Sequence, residues 1–105
     1  MSDRIAVPAG LGPSGRALWR RVEGDLEQGL VFDAGEREVL RQACHASDRL
    51  AEVRRDIRER GLWVDSPKGE IPNPLLLREE SLEKTVAALV GRLQRLRTAP
   101  RRARP

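Results

Sequence analysis

"DAGEREVLRQACHASDRLAEVRRDIRERG", Asp33 to Gly61, is the stretch whose reading decides how this chain folds. Asp33 is a good helix cap, and Glu36 three positions later reaches back to it, the reciprocal pattern of a capping box. From Glu36 to Arg60 nothing breaks a helix, and Gly61 stops it. Val39, Ala43, Ala46, Leu50, Val53 and Ile57 step by four, three, four, three and four, which makes an apolar seam flanked by charge. The helix spans roughly 27 residues, about 40 Å at the standard rise. A helix of that length needs a partner along it.

The partner lies further along the chain. In "IPNPLLLREE", Asn73 caps and Pro74 fits the first helical position, where its missing N–H costs nothing. Glu79 and Glu80 follow near the positive end of the helix dipole. Leu82, Val86, Leu89, Leu93 and Leu96 then repeat the stepping of the first seam. Two matching seams joined by a short turn-back predict an antiparallel helical hairpin. Between them, "LWV" and "EI" flank "DSPKG", the pattern of a small β-hairpin. Two strands alone are marginal in water, so this hairpin packs on helices or pairs with another subunit.

Upstream, Leu18, Trp19, Val22 and Leu26 recur at helical spacing in a short first helix, with Ser14 as its cap and Gly29 as its end. Trp19 is expected to pack that helix onto the hairpin. Residues 1–13 hold Pro8, Gly10, Gly12 and Pro13 and read as a flexible arm. Residues 14–97 form the helical domain. Residues 98–105, broken by Pro100, form a basic tail. The fold class is mainly α: a short N-terminal helix, then a long antiparallel helical hairpin with a small β-hairpin at its turn. Leu75, Leu76, Leu77 and Val90 lie off the narrow seams, so the expectation is a subunit interface through Leu75, Leu76 and Val90. Trp63 is either core or part of that interface.

The same long helix carries the only cysteine, Cys44, beside the only histidine, His45, with Asp48 close by. Read as chemistry, these are a nucleophile, a base and a carboxylate. Adjacent helix residues point about 100° apart, so Cys44 and His45 do not face each other. Cys44 lies beside the seam with Leu40 and Ala43, the setting of a small buried apolar residue. Asp48 stands three residues after His45, with Arg41 and Arg49 on either side along that face, ordinary surface ion-pair spacings. No glycine-rich elbow or oxyanion loop accompanies the cysteine, as nucleophilic catalysis requires. "GLGPSG", Gly10 to Gly15, places glycines before a helix and suits an anion at its N-terminus. It lacks the lysine and the serine or threonine of a phosphate-binding loop. The expectation is a protein that is not an enzyme, with no metal and no cofactor.

Composition narrows the partners. Of 105 residues, 34% are charged and 3% aromatic, with no tyrosine, which disfavours a base-stacking reader of single strands. The net charge is +4, and the cations are almost all arginine. From Arg92 to Pro105 there are six arginines and no acid. Such a segment supplies sequence-independent affinity for duplex DNA. Arg101, Arg102 and Arg104 are the first candidates for DNA contact, then Arg16, Arg20 and Arg21 on the first helix. That second group reads equally as a solvated strip paired with Glu23, Asp25 and Glu27. A single cysteine excludes an internal disulfide. No apolar run approaches twenty residues and no hydrophobic signal region is visible, so a soluble, cytosolic protein without membrane contact is expected.

"GPSGRALWRRV", "LRQACHASDRLAEV", "GLWV" with its turn, "NPLLLREE" and "VAALVGRL" follow in this order. Together they resemble small terminase subunits of tailed phages, of the P27 type with HK97-like relatives, over roughly Gly12 to Leu96. Leu18-Trp19, Ala43-Cys44, Asp48-Arg49 and Asn73-Pro74 carry the likeness best. The resemblance implies a helical protein that assembles into an oligomeric ring. It implies double-stranded DNA and the large terminase subunit as partners, and action in the cytoplasm of the bacterial host. It also implies that the ATPase and nuclease belong to the large subunit. The chain departs from the family in its short length and brief arginine tail, which touches the segment that would dock the large subunit. The first helix and its connector are too thin to make a full helix-turn-helix reader. Two rival readings remain: a helical adaptor that binds another protein through its seams, and an enzyme dependent on Cys44.

Overall fold

The computed structural model describes residues 7–26 and 31–98. Helix α1 (Pro13–Gly24) is followed by helix α2 (Ala34–Arg60), strands β1 (Trp63–Ser66) and β2 (Gly69–Pro72), and helix α3 (Leu75–Thr98). Both α1 and α3 pack on α2. The long helix is therefore the spine, and its two apolar faces organise everything else.

The predicted capping box forms in both directions. Glu36 N–H donates to Asp33 Oδ1 at 2.8 Å, and Asp33 N–H donates to Glu36 Oε1 at 3.1 Å. At the other end Gly61 takes φ 87°, and its N–H reaches Ile57 O at 2.7 Å. Glycine adopts that left-handed conformation without the steric penalty other residues meet. Along the seam Val39, Ala43, Ala46, Leu50 and Ile57 are buried against α3, whose Leu82 and Leu93 are buried in turn. The seam runs out at Leu96, which is 43% exposed. One residue on, the Arg97 guanidinium lies 5.6 Å from the centre of the Phe32 ring.

The second face of α2 is made by Leu40 and Cys44, both 0% exposed. They join Leu11, Leu18, Trp19, Phe32 and Leu93 in one buried cluster. Fully burying side chains of this size is worth about 1.5–3 kcal/mol each. Trp19, 2% exposed, ties α1 to this face as its spacing predicts.

Strands β1 and β2 pair antiparallel, with Trp63 opposite Pro72 and Ser66 opposite Gly69. The Ser66 hydroxyl donates to Gly69 O at 2.6 Å and accepts from Lys68 N–H at 3.2 Å, closing the turn. Asn73 locks this corner. Its Oδ1 accepts from Leu75 N–H at 3.0 Å, its Nδ2 donates to Gly61 O at 2.9 Å, and its N–H donates to Leu62 O at 2.7 Å. One buried amide thus joins the end of α2, the hairpin and the start of α3.

Two expectations about α1 are corrected. Its N-cap is Gly12, with Pro13 in the first turn, and Ser14 makes no capping bond. Ser14 Oγ instead pairs with Ser47 Oγ on α2 at 2.7 Å. The helix ends at Gly24, where glycine is a weak helix former and the Asp25 N–H turns back to Arg21 O and Val22 O; Gly29, the expected end, lies outside the described residues. The radius of gyration is 17.9 Å and the extents are 66 × 30 × 18 Å. A compact chain of about 100 residues has a radius near 13 Å, so this one is a rod.

Candidate nucleic-acid interface

The first four N–H groups of a helix lack partners within it. In α1 no neighbouring side chain supplies them, since the cap is a glycine. Asp48 does so from across the fold. Its carboxylate accepts from Gly12 N–H and from Gly15 N–H, each at 2.7 Å. The anion that suits the glycines of "GLGPSG" is therefore the chain's own aspartate. A Cβ on Gly15 would stand 2.5 Å from Asp48 Oδ2 and 2.8 Å from the backbone oxygen of Cys44. Only glycine lets α1 approach α2 this closely. Asp48 is thus turned toward α1 and away from the surface ion pairing expected along the face it shares with His45, Arg41 and Arg49. Arg41 instead forks onto Glu38, at 2.9 and 2.6 Å.

Cys44 is fully buried. Burial, and then the Asp48 carboxylate, push its thiol up to about 11 from an ordinary 9.0, against a smaller lowering by a Trp19 backbone bond. Such a group is neutral and enclosed at neutral pH. His45, one position on, is half-buried and lines a groove between α2 and α3. The two side chains serve different faces, as their spacing predicts. Among the described residues no three His, Cys, Asp or Glu side chains gather to hold a metal ion. Nor is any helix among them long and apolar enough to cross a membrane.

Arg16, Arg20 and Arg21 lie exposed on α1. Arg16 Nη1 donates to Leu11 O at 2.7 Å. None of the three meets a carboxylate within ion-pair distance among the described residues. Glu23, one of the acids expected to pair with them, accepts from Trp19 Nε1 at 3.3 Å. Glu27, Arg101, Arg102 and Arg104 lie outside the described residues.

The ionic groups divide the rod into two unlike ends. One end joins α1, the first half of α2 and the second half of α3. Over residues 7–26, 31–50 and 85–98 it carries nine arginines and six acids. Five of those acids are engaged by the fold: Asp33 and Glu36 in the capping box, Asp48 on α1, Glu23 on Trp19 and Glu38 on Arg41. Residues 51–84 at the other end carry seven cations and eight acids. Several of these pair off: Arg54 reaches Glu83 at 2.7 Å and Glu79 at 3.3 Å, and Lys84 reaches Glu80 at 3.0 Å.

The second end also presents apolar surface. Leu77 near the start of α3 is 75% exposed, and Leu62, Trp63 and Ile71 are exposed in the chain's turn-back. Trp63 is thus outside the core. Leu75, Leu76 and Val90 are half-buried, and Val90 packs against the central cluster.

The clasp on α1 was the feature hardest to see in the sequence. Its signal is a helix start with proline and glycines but no bonding cap, which leaves N–H groups that some other segment must satisfy. No curated protein and no solved structure matches the chain. The family described as phage terminase, small subunit, matches residues 15–95, a span that takes in nearly all of α1 and α3 and everything between. By that match this chain belongs to the phage terminase small subunit family.

Proposed function

We propose that this chain is the non-catalytic small terminase subunit of a tailed phage, of the P27 type with HK97-like relatives. It binds viral genomic DNA and regulates the large ATPase and nuclease subunit during packaging, in the cytoplasm of the bacterial host. The observation that carries this reading is the family match over residues 15–95, joined to an end of the rod where arginines outnumber acids. Arg16, Arg20 and Arg21 meet no carboxylate among the described residues, which suits two-point contact with phosphates. Arg101, Arg102 and Arg104 add to them from the tail. At the opposite end, Trp63, Leu75 and Leu76, with Val90 along α3, join copies of the chain into a ring. A ring follows when a head-to-tail contact closes on itself.

The test is equilibrium binding of a labelled mixed-sequence duplex across a salt series. Affinity should fall linearly on logarithmic axes. Removing residues 99–105 deletes three arginines and should flatten the slope by about 2.7, at about 0.9 per phosphate contact. Absence of salt-dependent binding would refute the DNA role. The exposed Leu62, Trp63, Ile71 and Leu77 would then favour a helical adaptor that docks another protein.

A further inference from the structure

On α2, Arg41, His45 and Arg49 recur every four residues, along about 12 Å of helix. This strip is neither the α1 face, made by Leu40, Cys44, Ser47 and Asp48, nor the α3 seam. With Arg78 and Thr85 of α3 it walls a groove of about 560 Å³ that runs between the two helices. No acid lines the groove, in a chain with 16 of them. Arg41 shares its charge with Glu38. Arg49 and Arg78 meet no carboxylate among the described residues.

The floor of the groove decides what kind of partner fits. Ala46 and Leu82 form part of it, and they are already 8% and 6% exposed. Leu89, half-buried, is the third apolar lining residue, so the apolar part of the groove is small and lies between charged walls. What the groove offers is cations on both walls, a hydroxyl, and an open mouth. That suits a polyanion held by charge better than a protein segment held by burial.

We infer that this groove is a second phosphate-contacting surface, in which Arg49 and Arg78, with Arg41 and His45, hold the backbone of duplex DNA. The inference rests on the DNA-binding reading given above. It adds a site on the side of α2 away from α1, so the chain meets DNA on more than its α1 strip and tail. Sequence spacing hid the site because Arg49 and Arg78 are 29 positions apart and meet only when the helical hairpin folds.

The experiment compares three full-length proteins: wild type, Arg49→Gln/Arg78→Gln, and the charge-matched control Arg55→Gln/Arg58→Gln. Arg55 and Arg58 are exposed on α2 and lie outside the groove lining. Glutamine keeps most of each side-chain stem, and equal helical signal and melting temperature verify the fold. Duplex binding is followed by fluorescence anisotropy over a salt series. The groove variant should weaken binding at low salt by tenfold or more and flatten the slope by about 1.8, the loss of two phosphate contacts. The control should change far less. Equal slopes for wild type, groove variant and control would overturn the groove assignment while leaving the DNA reading in place. The same holds if the groove variant loses only binding to a poly-glutamate peptide, which would mark a site for an acidic protein. Failure of the wild type to bind duplex at any salt would overturn both readings.

Discussion

Asp48 shows how one side chain positions a whole helix. Its carboxylate takes two backbone N–H groups of α1 at 2.7 Å. Hydrogen bonds to a charged group are worth about 1.5–3 kcal/mol each before screening, and this pair is only half-buried. Asp48→Ala should therefore lower stability by about 2 kcal/mol in a urea titration. Gly15→Ala should cost at least as much, since the new Cβ meets a backbone carbonyl that has no rotamer to move to. Gly12→Ala should be milder, because its close contact at 2.9 Å is with the Asp48 side chain itself. Equal, negligible losses for Asp48→Ala and Gly15→Ala would show that the clasp does not hold α1. Cys44 gives a second residue-scale expectation. Its thiol is raised to about 11 in the fold, against 9.0 ordinarily. A raised folded value means the native state keeps its proton longer than the unfolded chain does. The contribution to stability is whole below about 9 and is lost as pH climbs toward 11. At pH 8 the native thiol should resist alkylation, and urea should release it. Rapid alkylation of the native protein at pH 8 would contradict that burial.

At the scale of elements, the helices that pack along a local repeat were legible in the sequence. The Asp33 and Glu36 box, the seam from Val39 to Ile57 and the stop at Gly61 place α2 because each signal acts within one or two turns. The β-hairpin and the capping role of Asn73 were legible for the same reason. Elements fixed by distant partners were not. The local sequence offers Ser14 as the cap of α1, whereas the helix's first N–H groups are satisfied from α2, 33 and 36 positions away. The Arg49–Arg78 groove is likewise invisible until α3 folds back. Asn73 offers the test at this scale. Asn73→Asp keeps the acceptor for Leu75 N–H but replaces the donor to Gly61 O with a second oxygen, inside a site that is 3% exposed. The loss should be about 2 kcal/mol at neutral pH, from a buried carbonyl facing an acceptor. Urea titration reads it directly, and a stability equal to wild type would remove Asn73 from its clamping role.

The whole molecule is a rod 66 Å long with two unlike ends. Arginines outnumber acids at one end, and cations and acids nearly balance at the other; Leu62, Trp63, Ile71 and Leu77 are exposed at the balanced end, Val31 and Leu96 at the basic one. That division suits a subunit that touches other copies with one end and DNA with the other. Leu62, Trp63, Ile71 and Leu77 are exposed around the turn-back, on more than one face of it, and exposed apolar side chains suit contact with another subunit. The most direct measurement is the mass of the purified native particle by light scattering, over a range of concentration and salt. A single species of many subunits, stable on dilution, is the expected result, with the apolar end buried between copies. A monomer at every concentration would contradict it, because the rod would then carry its apolar end unshared and could not close a ring.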